Sequence, residues 1–280
     1  MYTVSRRDFV RISALTGAAT LAAACAAPAG TPGAADTPAA PTAAAPAEPT
    51  AAPAEAPAGA QEAPILAEQV ASGALPPLTE RLPVEPMVIP VTEEIGQYGG
   101  VWHRCAVGPE DAWVAGRLSY EPLVRWNVAG DGVYPNLARS FEISEDATEF
   151  TFYLREGVKW SDGEPFGADD ILSYYEDGLL NESLFPTYPD LLRDPHNAGQ
   201  SIEKVDDFTV VFKFGSPYGL FVQALAANQG AEMYQWPKHY VAQFHPNHTA
   251  MEDLDSKIRE AGFTNWWELF SNKRNWKNPD

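Results

Sequence analysis

Cysteine is nearly absent, with two in 280 residues. That is too few for a disulfide framework or a thiolate zinc site, so an ordinary apolar core has to hold the fold. Positive charge is also short: 19 Lys and Arg stand against 38 Asp and Glu, for a formal net charge of -19. A chain this acidic repels a phosphate backbone, which excludes DNA or RNA as a direct partner. No apolar run reaches the roughly 20 residues that span a bilayer. The longest candidate, Ile12 to Ala24, is thirteen mostly small residues. Missing too are a phosphate-binding glycine loop, a nucleophile elbow and a zinc-protease helix, so no motif for covalent catalysis is present. What the chain does have is 45% hydrophobic and 11% aromatic residues, enough to build a core over part of its length.

The beginning of the chain reads as an export address. Ser5-Arg6-Arg7-Asp8-Phe9-Val10-Arg11 precedes the short apolar run and then Cys25. A charged start, a dozen or so apolar residues and a small-residue cleavage zone make a signal segment over residues 1–24. The Arg6-Arg7 pair with Phe9 resembles a twin-arginine export signal. Leu21-Ala22-Ala23-Ala24-Cys25 resembles a lipobox, with Ala22 where a larger apolar residue is usual. Cys25 is therefore the expected lipidation site, and several acyl chains on it would give stable membrane attachment. From Ala26 to Ala63, 26 of 38 residues are Ala or Pro. Proline blocks helix, and Ala and Thr bury too little apolar area to offset ordering, so residues 25–94 are expected to be a disordered linker and a lead-in. The folded part is expected from about Ile95 to Asp280.

That part alternates strand and helix patterns. Gly99 to Gly108 predicts a short strand with Val101, His103, Cys105 and Val107 on one face, and Cys105 is expected to be a small buried apolar residue. Glu149 to Arg155 alternates cleanly and points Phe150, Phe152 and Leu154 inward. Gly163 supplies positive φ in the turn after Trp160. Ala168 to Asp177 predicts a helix capped by Gly167, with Asp169 and Asp170 at its positive end. Phe208, Val210, Phe212 and Phe214 alternate with Thr209, Val211 and Lys213 after a turn at Asp206-Asp207. Thr249-Ala250-Met251-Glu252 predicts a capping box opening a helix that carries Leu254 and Ile258 and ends at Gly262. Thr264 is expected to open a last helix in which one of Trp266 and Trp267 faces the core.

The run from Tyr134-Pro135-Asn136-Leu137-Ala138 through Phe150-Thr151-Phe152-Tyr153-Leu154-Arg155-Glu156-Gly157-Val158-Lys159-Trp160-Ser161-Asp162-Gly163 to Ala168-Asp169-Asp170-Ile171 resembles the signature region of family 5 extracellular solute-binding proteins. Ile202 to Phe212, Tyr218-Gly219-Leu220-Phe221 and Trp236-Pro237-Lys238-His239 resemble later parts of the same family. The likeness covers roughly Gly99 to Tyr240, and it departs from the family pattern at Gly167, where Thr or Ser usually caps the helix. The resemblance implies an α/β fold of the periplasmic-binding-protein type II kind, here the N-terminal lobe with its subsidiary domain and without the second lobe. It implies a monomeric, non-enzymatic receptor outside the cytoplasm. Such a receptor captures an oligopeptide or similar solute, uses no cofactor, and delivers its cargo to an ABC permease. Family chains are longer, so the sequence is read as an N-terminal fragment carrying half a cleft, expected to bind ligand weakly.

By the same resemblance the loop Gly108-Pro109-Glu110-Asp111-Ala112-Trp113 faces the cleft. Glu110 or Asp111 would meet a ligand ammonium and Trp113 would flank the ligand; the competing reading makes the acids a solvated loop and the tryptophan core. His239, His245 and His248 fall within ten residues, but Pro246 and the want of a nearby cysteine argue against a metal there. Asp162 and Glu164 are read as turn residues in preference to a glycosidase acid and base. Two other classes stay open: a secreted lipid-anchored hydrolase, which would turn over peptides or glycosides, and a structural surface protein, whose melting no ligand would shift.

Overall fold

A computed structural model describes residues 62–89, 91, 93–101, 103, 105, 107 and 120–275. The export segment with Arg6 and Arg7, Cys25 and most of the Ala/Pro run lie outside the described residues. No described helix is long and apolar enough to cross a membrane.

Two antiparallel sheets organise the described chain. The small one pairs β1 (Val124–Trp126) with β2 (Val133–Pro135). The turn between them closes where the Asn127 amide donates to the Gly132 carbonyl at 2.8 Å, and Gly130 sits at φ 74°. The larger sheet has β3 (Ala138–Ile143), β4 (Glu149–Leu154), β5 (Gln200–Asp206) and β6 (Thr209–Phe214) in the order β3-β4-β6-β5. The expected mixture of helix and sheet is present, and every pair in this sheet is antiparallel.

In β4 the expected alternation holds, because Phe150, Phe152 and Leu154 are buried and Glu149 is exposed. β6 differs. It lies between β4 and β5, and Thr209, Val210, Val211 and Phe212 are all buried. A strand with a neighbour on each side and elements packed on each face has no solvent side, so only Lys213 keeps the expected outward position by reaching Glu203 on β5 at 2.7 Å. Facing rings knit the sheet: Phe152 meets Phe212 edge-on at 5.6 Å, while Phe150 and Phe214 each lie 4.8 Å from Phe221. Phe221 opens the short helix α4 (Phe221–Leu225) and is fully buried.

The predicted helix at Ala168 is found as α3 (Ala168–Ser173), but it continues as one wide π-helical turn over Tyr174–Leu179. Gly167 precedes it, and its amide donates to Asp170 Oδ2 at 3.0 Å, so the third helical residue supplies the reach-back contact while the glycine has no side chain to cap with. Later come α5 (Lys238–Val241), α6 (Met251–Glu260) and α7 (Trp266–Lys273). α6 buries Leu254 and Ile258 as expected and ends at Gly262, φ 76°, with the Phe263 amide bonded to the Ile258 carbonyl. The expected capping box is not formed. Ala250 is the capping residue, and the Thr249 hydroxyl donates to the Ala242 carbonyl at 3.1 Å, a tertiary acceptor that outcompetes the helix amides. Asn265, not Thr264, opens α7 by accepting from the Glu268 amide at 3.0 Å.

Upstream, α1 (Pro64–Ala71) and α2 (Leu78–Arg81) were not foreseen. The stretch after them is tied to the end of β4. The Val84 amide donates to the Glu156 carbonyl, and the buried Arg155 donates through Nη1 to the Glu85 carbonyl and through Nε to the Asn136 carbonyl. Gly157 sits at φ 82° beneath this crossing, where a Cβ would come within 3.2 Å of the Val84 nitrogen. Packing onto the sheet therefore begins before Ile95.

The predicted strand at Gly99 to Gly108 is corrected. No strand is assigned to its described residues, and Val101, His103, Cys105 and Val107 are all exposed. Cys105 is thus an exposed thiol and not a buried apolar residue. Among the described residues no strand pairs with this segment.

Candidate functional site

The residues singled out as ligand contacts, Glu110, Asp111 and Trp113, lie outside the described residues. The described chain instead shows three polar constellations.

The first lies on an open hollow of about 340 Å3, lined by Asp190, Arg193, Asp194, Pro195, Asn197 and Tyr218. Asp194 is only 1% exposed. Its carboxylate accepts from the amides of His196 (2.8 Å), Ala198 (3.1 Å) and Ser216 (2.8 Å) and from the Ser216 hydroxyl (2.7 Å). Burial pushes its pKa up, but these four donors outweigh burial and pull it down to about 2. Asp194 is a charged knot that closes the loop, with its oxygens already occupied. Arg193 leans over the hollow's edge, donating to the Tyr188 carbonyl at 2.6 Å and lying 3.4 Å from Asp190.

The second is the turn into α3. Asp170 is buried and accepts from the amides of Gly167 and Lys238, which joins α3 to α5. Burial raises its pKa against those bonds. Asp169 lies beside it on the surface, where Lys204 at 2.7 Å lowers its pKa. Asp162 accepts from the Glu164 amide within its turn and lies 2.6 Å from His239 Nε2. The hydrogen bond from His239 holds Asp162 below the usual carboxylate range, and a carboxylate so held is a poor general acid. The turn assignment for Asp162 fits this geometry, and His239 is engaged there.

The third joins residues far apart in the chain. Asp177, on the π-helical turn, accepts from Ser173 Oγ at 2.7 Å, Asn247 Nδ2 at 3.0 Å and His248 Nε2 at 2.6 Å. His245 Nδ1 is 3.8 Å from Asp177 Oδ1. Burial works to raise the Asp177 pKa, but the bonds from His248, Ser173 and Asn247 outweigh it and hold it low. The His-Pro-Asn-His run drew notice to two members of this cluster, where a metal was not expected. The aspartate, about seventy residues upstream, carried no local signal, since it read as an ordinary helical acid.

Residues 132–264 match the description "Bacterial extracellular solute-binding proteins, family 5 Middle". The matched segment belongs to that family. A solved oligopeptide-binding protein, OppA, superposes on 77% of this chain with a TM-score of 0.66 and 38% sequence identity, and the match covers 33% of that structure. The family 5 fold, of periplasmic-binding-protein type II, is therefore present in part. Among curated relatives, a periplasmic alpha-galactoside-binding protein of Rhizobium meliloti is 34% identical over 199 residues, 64% of this chain and 28% of its own length. Di/tripeptide-binding protein 1 of Pseudomonas aeruginosa is 32% identical over 126 residues, 40% of this chain and 23% of its own length. The chain thus spans about a quarter of the curated relatives it matches. The family description names solute binding and no reaction.

Proposed function

We propose that this chain supplies part of the solute-binding component of an ABC importer, capturing an oligopeptide or similar small solute outside the cytoplasm without changing it. The observation that carries the proposal is the family 5 match over residues 132–264 together with the OppA superposition. Capture works by population shift: ligand favours the closed arrangement of two lobes, and the closed form docks on the permease. The second lobe is part of the proposal, with residues 95–280 contributing to the first. The loop bearing Glu110, Asp111 and Trp113 is proposed to meet the cargo, the acids pairing with an ammonium and the indole packing on the ligand. Arg6 and Arg7 direct export, Cys25 takes the lipid anchor, and the Ala/Pro-rich stretch keeps the receptor clear of the membrane. A second cargo class, an α-galactoside, is favoured by the periplasmic alpha-galactoside-binding protein, a curated relative that matches 64% of this chain.

Calorimetric titration of the full gene product with di- to pentapeptides and with raffinose-type galactosides separates the two. A peptide is expected to bind at one site, and Trp113→Ala is expected to weaken it at least tenfold, about 1.4 kcal/mol or more. Binding untouched by that substitution removes the loop from the site. Saturable binding of the galactoside alone changes the cargo.

A further inference from the structure

We propose that Asp177, His245 and His248 form a binding site for one divalent transition-metal ion of the zinc type, a role separate from solute capture. The three side chains offer one carboxylate oxygen and two ring nitrogens, all within 4.8 Å of one another. Metal bonds of about 2.0–2.2 Å at a tetrahedral angle set donor atoms roughly 3.3 Å apart. The separations from Asp177, 2.6 Å to His248 Nε2 and 3.8 Å to His245 Nδ1, bracket that spacing. The two histidine nitrogens lie within 4.8 Å of each other, so side-chain shifts of up to about an ångström bring the donors onto a single ion.

The surroundings prepare the donors. His245 is 1% exposed, its Nε2 has no hydrogen-bond partner, and its ring meets Trp266 at 4.8 Å and Phe270 at 5.6 Å, close to perpendicular in each case. Nδ1 accepts from the Asn247 amide at 3.2 Å, so it carries the lone pair a metal requires. Ser173 Oγ and Asn247 Nδ2 hold the Asp177 carboxylate in place, as outer-shell groups do at metal centres. His248 is 33% exposed in its side chain and provides the way in from solvent. Asp177 stands on a π-helical turn, a costly backbone form that concentrates at functional sites. Loading balances simply: solvent carries the His248 proton from Nε2 to Nδ1, which frees the Nε2 lone pair, the Asn247 amide gives up its bond to His245 Nδ1, and water takes the fourth position. Imidazole and carboxylate donors together suit zinc, cobalt and nickel better than calcium or magnesium. The bound ion would clasp the end of α3 to the loop that leads into α6.

The test uses the full chain and two probe ions. With Zn2+ at 100 times its dissociation constant, the melting temperature is expected to rise by roughly 5–10 °C. His248→Ala, folded by circular dichroism, is expected to weaken Zn2+ at least thirtyfold, while His239→Ala leaves it unchanged. Co2+ is expected to give the intense visible absorption of a tetrahedral centre. Should His248→Ala fail to fold, the wild-type chain still decides: bound Co2+ is expected to shift and broaden the ring resonances of His245 and His248 and spare those of His196 and His239. No saturable binding, binding unaffected by His248→Ala, or paramagnetic effects centred on other histidines would overturn the proposal.

Discussion

Replacing Trp236 by alanine is expected to lower unfolding free energy by about 3–5 kcal/mol, read as a shifted denaturant midpoint with the slope unchanged. The indole is 1% exposed and is the largest fully buried side chain among the described residues. It meets Tyr174 edge-on at 5.0 Å and Phe270 at 5.1 Å, lies 5.9 Å from Phe185, and carries the Arg274 guanidinium 4.9 Å above its ring. It therefore joins the π-helical turn to α7, and its loss opens a cavity that no single neighbour can fill. Gly178 tests the same interlock from the other side. In most helices Gly→Ala gains about 0.5–1 kcal/mol. Here the added Cβ would stand 2.8 Å from a Trp236 ring carbon, so Gly178→Ala is expected to destabilise by about 1–3 kcal/mol. In a Trp236→Ala background the same change should become neutral or stabilising. Additive effects of the two substitutions would show that they do not share this contact.

The second large effect concerns Asp194. Asp194→Ala removes the acceptor for three amides and a hydroxyl at once, and is expected to lower the melting temperature by on the order of 5 °C or more. Its pKa is about 2 in the folded chain, below the roughly 3.9 of an unfolded aspartate. A depressed carboxylate contributes stability that is complete above the unfolded value and is lost as pH falls through the folded one. Wild-type melting should therefore drop between about pH 4 and pH 2, and Asp194→Ala should flatten that limb. Asp170 works the other way, because burial raises its pKa, so its protonation on acidification offsets part of the loss. An acid limb of equal depth in wild type and variant would show that Asp194 is not its source.

What could be read ahead of the structure follows from how far each signal reaches along the chain. Phe150, Phe152 and Leu154 were legible because β4 presents one apolar face at a spacing of two residues. The same rule misplaced Thr209 and Val211, since a strand enclosed on both sides loses its alternation. Gly163 and Gly262 were legible because a turn's positive φ is a local demand. Thr249 misled because its hydroxyl had a better acceptor seven residues back, at Ala242. The π-helical turn after Ser173 had no signature in residue type, and neither did the pairing of Asp177 with His248 across seventy-one positions. Contacts of that separation are settled by packing, which no window of periodicity contains. Of the constellations described above, the Asp162 turn was foreseen and the Asp194 knot was not, although the Asp-Pro-His-Asn run around it is a common loop former.

The claim on which the functional account rests is capture without chemistry. Native mass spectrometry of the full gene product, mixed with a peptide and an α-galactoside, addresses it in one spectrum. One cargo molecule per protein is expected, released on activation at its unaltered mass. Shortened peptide, hydrolysed sugar, or a protein that carries neither would contradict it.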